Sequence, residues 1–200
     1  MADPSLDQPD EAEVLARYRG GDADALGDLV ALWERPLMSF IMRMVGEPAT
    51  AQDIFQETWL RAIGHLDGYR SRSFKSWLFR IAHNLVIDRS RRRKHEAAPL
   101  AYDPRESDAP EERVPDPAPS PARATETRDT EAEILAAVAA LPESQREVML
   151  LRLEAGLSFK EIAKIQKVSI NTALGRMHYA VTKLREQFKD LPAEIRGEPR

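Results

Sequence analysis

The sequence predicts an all-α protein: two small helical domains joined by a disordered acidic linker. Three observations carry that reading. Apolar residues recur at helical spacing through both halves, and no stretch of useful length alternates apolar and polar residues as a half-buried strand does. Seven prolines fall between His95 and Arg128 among many carboxylates and few apolar residues, a composition that cannot bury enough surface to fold. A hydrophobic content of 42% over 200 residues is enough for a small core on each side of that stretch. The expected boundaries are a first domain at 12–94, the linker at 95–128 and a second domain at 129–190.

In the first domain, Gly20-Gly21 breaks the chain, and Asp22 is placed to cap a helix through Leu26, Leu29, Val30 and Leu32. Pro36 is expected to open the next helix, because proline fits a first turn and breaks an interior, and Gly46-Glu47-Pro48 ends that helix. A third helix runs from about Ala51 to Leu66, followed by a loop from Asp67 to Ser73. In the fourth, Phe74, Trp77, Leu78, Ile81, Ala82 and Leu85 follow i, i+3, i+4, i+7, i+8, i+11, which assigns that face to the core and Lys75, Arg80, His83, Asn84 and Arg91 to the other.

The second domain opens with Ile134, Leu135, Val138 and Leu141, and Pro142 starts a helix carrying Val148, Leu151 and Leu153 that Gly156 stops. Ser158 caps a short helix buried through Ile162, Ala163 and Ile165; a second buries Ala173, Met177, Ala180 and Leu184. Two short helices with a four-residue turn between them make either a plain helical hairpin or a helix-turn-helix whose second helix enters the DNA major groove.

A net charge of −4 would argue against a nucleic-acid partner if it were evenly spread. Residues 1–94 hold 14 basic and 14 acidic side chains, residues 129–200 hold 11 and 11, and the linker holds 4 and 8, so the deficit lies in the linker. Within the first domain, Arg70 to Lys94 has 9 basic residues against the single acid Asp88, whereas Met1 to Tyr69 has 5 against 13. Such a stripe repels itself unless a polyanion is near, so it reads as a polyanion-binding segment or as a solvated helix face. Tyr69 and Phe74 flank its basic loop. Rings beside positive charge suit single-stranded DNA, where bases stack while phosphates meet the charge, and they suit equally an anchor for the loop. Asp53, Gln56, Glu57 and Leu60 share one helix face at i, i+3, i+4, i+7, either a solvated surface or a protein-docking one.

Cysteine is absent, which leaves no disulfide, thiolate zinc site or cysteine nucleophile and suits a reducing cytoplasm. His65, His83, His95 and His178 lack metal-ligand spacing and read as incidental; with no nucleophile paired to a base, no metal, cofactor or enzyme activity is expected. The N-terminus MADPSLDQPDEAE lacks the order of a signal peptide, and no apolar run approaches the roughly 18 residues of a spanning helix, so a cytoplasmic protein without membrane insertion is expected.

Five segments then fall in register: GDADAL (Gly21 to Leu26), AQDIFQETWLRA (Ala51 to Ala62), FKSWLFRIAHNLVIDRSRRR (Phe74 to Arg93), LPESQREVMLLR (Leu141 to Arg152) and GLSFKEIA (Gly156 to Ala163). In order and spacing, over roughly residues 12–190, they resemble the bacterial RNA polymerase sigma factors of the sigma-70 family, extracytoplasmic-function group. The resemblance implies a domain 2 that docks on core polymerase and opens the −10 element, and a domain 4 whose helix-turn-helix reads the −35 duplex. It implies that Asp53, Gln56 and Glu57, with Leu60, engage the β′ coiled coil, and that the β flap is a further polymerase contact. It implies −10 DNA contacts from Tyr69, Arg70, Arg72, Ser73, Phe74, Lys75, Arg80, Asn84 and Arg91, and −35 contacts from Ser169, Asn171, Thr172, Gly175, Arg176 and Tyr179. An anti-sigma factor is implied as a further partner, since one often holds the group inactive.

The chain departs from the family at Lys167, where a turn glycine is usual, at Asn171 for another glycine, at Gly175 for serine and at Tyr179 for arginine. Promoter preference is therefore open. Two rival readings are a free-standing helix-turn-helix regulator and a helical adaptor without a DNA role.

Overall fold

A computed structural model describes residues 10–69, 73–97 and 126–188, and among them it contains eight helices and no strand. The order is α1 (Glu11–Arg19), α2 (Asp24–Val45), α3 (Pro48–His65), α4 (Phe74–Ala97), α5 (Glu126–Ala139), α6 (Glu143–Leu153), α7 (Phe159–Gln166) and α8 (Ile170–Gln187). Residues 98–125 of the expected linker lie outside the described residues, and its two ends belong to α4 and α5.

Local chemistry accounts for most helix ends. Asp10 caps α1 by accepting from the Ala12 N–H at 3.3 Å, and Gly21 turns the chain at φ 90°. Asp22 was expected to be an N-cap; instead α2 starts two residues later, with Asp22 accepting from the Asp24 N–H at 3.0 Å while its other oxygen pairs with Arg17 at 2.7 Å. Gly46 ends α2 in the left-handed conformation at φ 77°, which glycine adopts without a Cβ clash. Pro48 sits in the first turn of α3, where its missing N–H costs nothing, so α3 begins three residues before the Ala51 expected.

Pro36 does not open a helix: it lies inside a continuous 22-residue α2. An interior proline costs a helix about 3 kcal/mol. Leu29 before it and Leu37, Phe40, Ile41 and Met44 after it are all buried, and that tertiary burial outweighs the break.

Helices α2 and α4 pack on α6 and α7, so the buried residues of both halves form one continuous core. Phe79 of α4 centres the first half, edge-on to Trp33 at 6.2 Å and to Phe40 at 5.6 Å between ring centroids. This packing also corrects the exposed face assigned to α4. His83 is buried there, because α6 covers that side and brings Glu147 Oε2 to 3.3 Å from His83 Nε2. Ile134, Leu135 and Leu153, expected in the second core, remain exposed; Ala137 and Val138 carry the buried side of α5.

Ser158 and Glu161 form a reciprocal capping box at the start of α7. At its end Lys167 takes φ 56° and ψ 42°, the only positive-φ residue other than glycine among the described residues, and the Val168 N–H closes on the Ala163 carbonyl at 2.9 Å. A left-handed conformation costs a side-chain-bearing residue about 1–2 kcal/mol, and glycine's looser unfolded chain recovers part of it. Lys167→Gly is therefore expected to raise the unfolding free energy by about 0.5–1 kcal/mol in a urea titration.

Candidate polymerase-docking and DNA-binding surfaces

The outer face of α3 is set by what its inner face buries. Ala51, Ile54, Thr58, Trp59 and Ala62 point into the core, and the Thr58 hydroxyl is satisfied by donating to the Ile54 carbonyl at 2.7 Å. Asp53 and Gln56 are consequently exposed, Glu57 is half-buried, and Leu60 is 67% exposed. Arg61 Nε donates to Glu57 Oε1 at 2.7 Å, one turn along the helix. Ile63, 39% exposed and three residues beyond Leu60, extends the apolar centre; the sequence reading omitted it, although its spacing was visible. The result is an apolar spot bordered by carboxylates, suited to a partner surface that pairs an apolar pocket with basic residues.

The α3–α4 loop differs from its expected form. Tyr69 and Phe74, expected to contact −10 DNA, are 5% and 0% exposed. Their rings pack on each other at 5.7 Å and on Trp77 at 5.1 and 5.6 Å, so they anchor the loop and present no face to a base in this arrangement. Aromatic burial outweighs exposure because each ring removes a large apolar area from water. Arg70 and Arg72 lie outside the described residues. Arg80, Asn84 and Arg91 are exposed along one face of α4 at i, i+4, i+11, and Ser73 and Lys75 are half-buried at its start.

Ser73 and Lys75 meet the second half of the chain. Three carboxylates spaced seven residues apart, Glu147, Glu154 and Glu161, face the first half: Glu147 meets His83, Glu154 accepts from Arg43 Nη1 at 3.2 Å, and Glu161 lies beside Ser73 and Lys75. Burial pushes the Glu161 carboxyl upward, but hydrogen bonds from Ser158 and Ser73, with the Lys75 charge, hold it below the usual glutamate range. A depressed carboxylate contributes stability that is present above its unfolded pKa and is lost as pH falls through the folded one. Acidification below the ordinary carboxylate range is therefore expected to remove a contribution that Glu161→Gln abolishes at every pH, so the stability gap between parent and variant should narrow in urea titrations run at falling pH.

On α8, Ser169 caps the helix by accepting from the Thr172 N–H at 3.0 Å. Asn171 and Thr172 are exposed, and Tyr179 is 64% exposed beside His178. Ile170 and Leu174, absent from the expected set, are 47% and 43% exposed one turn apart on the same helix. Arg176 is half-buried, with Nη1 donating to Gln166 Oε1 at 3.0 Å across the turn from α7. Nothing lies within 4 Å of where a Cβ on Gly175 would sit. Gly175→Ala is expected to stabilise the chain by about 1 kcal/mol through helix propensity alone. Thermal unfolding measures that gain, and promoter selection with the same variant reads any change in −35 preference.

Among the described residues no cluster of His, Asp or Glu could hold a metal ion, and no helix is long and apolar enough to cross a membrane.

Residues 29–96 match the family described as Sigma-70 region 2, and residues 131–184 match Sigma-70, region 4. The chain is 31% identical over 183 residues to the ECF RNA polymerase sigma factor SigW of Bacillus subtilis, covering 88% of this chain and 96% of that protein. It is 32% identical over 183 residues to the RNA polymerase sigma factor CarQ of Myxococcus xanthus, covering 90% of this chain and 99% of that one. In fold it is similar to the sigma factor RpoE solved with the anti-sigma factor NepR from Bartonella quintana, at TM-score 0.63 and 23% identity, over 85% of this chain and 100% of that one. CnrH solved with the cytosolic domain of CnrY gives TM-score 0.63 at 22% identity, over 91% of this chain and 99% of that one.

Proposed function

Because this chain belongs to the sigma-70 family of RNA polymerase sigma factors, in the extracytoplasmic-function group, we propose how its residues divide the work of promoter-directed initiation. The 12–94 domain docks on core polymerase through Asp53, Gln56, Glu57 and Leu60, with Ile63 widening the apolar spot, and presents Arg80, Asn84 and Arg91 to melted −10 DNA. The 129–190 domain sets Ser169, Asn171, Thr172, Gly175, Arg176 and Tyr179 against −35 duplex. Tyr69 and Phe74 act from within, packed on each other and on Trp77. Polymerase forms the phosphodiester bonds; the chain itself supplies position and promoter choice in the cytoplasm.

The observation that carries this reading is one chain holding both matched regions in order, with an acidic, apolar-centred face on α3 and a basic face on α4. The division resolves an energetic problem. Ser158 to His178 carries only four Lys or Arg residues, too few to supply strong phosphate affinity alone. Docking on polymerase makes DNA engagement effectively intramolecular, and the 9 basic residues of Arg70 to Lys94 add polyanion attraction. Extruding a −10 base costs a few kcal/mol, which stacking and phosphate contacts must offset.

Relatives in fold bind anti-sigma factors, and this supports a protein antagonist for this chain as well. Run-off transcription with core polymerase, on promoters selected from a random library, tests the reading. A promoter-dependent product that requires the chain is expected, and its absence would overturn the assignment. A mobility shift on duplex DNA that needs no polymerase would instead favour a free-standing regulator.

A further inference from the structure

Two large apolar side chains are exposed at the start of α8, Ile170 and Leu174, one turn apart. Further along the same helix Met177, Val181 and Leu184 pack against the buried core. Over the first two turns, at about 100° per residue, the order around α8 is Ile170, Leu174, Asn171, Gly175, Thr172 and Arg176, closing on the buried Ala173. The outward arc therefore has an apolar edge at Ile170 and Leu174 and a polar edge at Thr172 and Arg176. Gly175 lies between the two edges as bare backbone, with nothing within 4 Å of where its Cβ would stand.

The second helix of a helix-turn-helix presents its N-terminal residues to base edges in the major groove. In α8 that end is marked by Ser169, which accepts from the Thr172 N–H. Hydrogen-bond donors and acceptors line the groove, and the apolar group among them is the C5-methyl of thymine. An aliphatic side chain at this end of the helix gains affinity by shielding such a methyl from water. Against a phosphate or a base acceptor it would strip water from a polar group and return no hydrogen bond. Gly175 favours the approach, because a helix with no side chain there can bring its backbone closer to the base edges. The contact also suits a segment, Ser158 to His178, that carries only four Lys or Arg residues, since apolar burial needs no charge.

We infer that Leu174, backed by Ile170 one turn before it, reads the methyl group of a thymine in the −35 element and is a specificity-determining residue of this chain. This rests on the reading that α8 enters the −35 major groove. It adds an apolar member to a set otherwise made of polar side chains and Gly175. It also requires that the promoters this chain selects hold a thymine at one fixed −35 position.

The test uses the full chain assembled with core polymerase and a labelled −35 duplex from a selected promoter, followed by fluorescence anisotropy. Each thymine is replaced in turn by uracil, which removes only the methyl group. One such replacement is expected to weaken binding of the parent chain by about threefold to fivefold, the effect of one buried methyl group. Leu174→Ala should bind the thymine duplex more weakly and no longer distinguish uracil from thymine at that position, with the slope of log affinity against log salt unchanged. Discrimination that survives in Leu174→Ala would refute the contact, whatever the variant does to overall affinity, because general destabilisation of α8 weakens both duplexes alike. Asn171→Ala and Arg176→Ala serve as references for the helix. If either weakens the duplex while the parent binds thymine and uracil equally, the methyl contact is refuted and the −35 reading stands. If none of the three variants weakens the duplex, the −35 reading has failed and the methyl contact with it.

Discussion

Asp53→Arg is expected to abolish co-purification of the chain with core RNA polymerase and to change its unfolding free energy by no more than about 0.5 kcal/mol, the range of surface substitutions away from special features. Both halves of that expectation follow from where the residue sits. Asp53 is exposed on α3, opposite a side secured in the core by Ala51, Ile54 and Trp59, so the fold has little stake in it. At a docked interface the same site would be desolvated, and a reversed charge there meets like charge at a cost of several kcal/mol. Glu57→Arg should have the same effect on assembly with a slightly larger effect on the fold, because it also breaks the Arg61 pair, an exposed i, i+4 contact worth about 0.3–0.5 kcal/mol. Leu60→Ala is the complementary variant: the side chain is 67% exposed and contributes little to the core, so weakened assembly at unchanged stability would locate the apolar centre of the interface. Normal co-purification of Asp53→Arg would remove this face from the docking surface.

Features written in nearest neighbours were legible in the sequence. The cap at Ser158 and the stops at Gly46 and Gly156 follow from a few adjacent residues, and each appears in the structure, whereas the special turn at Lys167 was signalled only by the glycine usual there in the family it resembles. The buried stripe of α4 was legible as well, since periodicity alone selects Phe74, Leu78 and Ala82. Contacts made at a distance were not. Pro36 reads as a helix start until the apolar residues on either side of it are known to be buried together. Tyr69 and Phe74 look alike in sequence whether their rings face inward or outward, because a basic loop can flank either arrangement. His83 was placed on a solvated face because its partner Glu147 lies 64 residues away, and the hydrogen bonds that Arg19 donates to the Tyr69 carbonyl and that Glu11 accepts from the Phe74 N–H span 50 residues or more. Pairings of that range leave no periodic trace. For the docking and −35 residues, spacing left a solvated face beside a docking one and a plain hairpin beside a helix-turn-helix, and the resemblance chose between them.

Arg176→Ala is expected to weaken −35-dependent transcription by about 1–3 kcal/mol, which is about fivefold to 150-fold. In this structure the guanidinium is half-committed. Its Nη1 donates to Gln166 Oε1 at 3.0 Å; Gln166 Nε2 donates to Glu147 Oε2 at 2.7 Å and to the Ser144 carbonyl at 3.2 Å; and Glu147 meets His83 of α4. A guanidinium has five N–H donors in a fixed fork, so one bond to Gln166 leaves others to address DNA while fixing the plane in which they point. That supports a positioned reader of a base over a free phosphate contact, and the two roles separate by experiment. If Arg176 reads a base, the alanine variant loses discrimination at one −35 position while single changes elsewhere still weaken it. If it meets a phosphate, all promoters weaken alike and the dependence of log affinity on log salt drops by about 1. Gln166→Leu provides the third arm: it leaves Arg176 in place but frees its orientation, so it should relax the same position by a smaller factor. It should also lower stability, because Glu147 is buried and loses its closest hydrogen-bond donor. Unchanged promoter strength and preference in Arg176→Ala would assign the guanidinium to the α7–α8 turn alone and leave Ser169, Asn171, Thr172 and Tyr179 as the exposed polar members of the proposed −35 set.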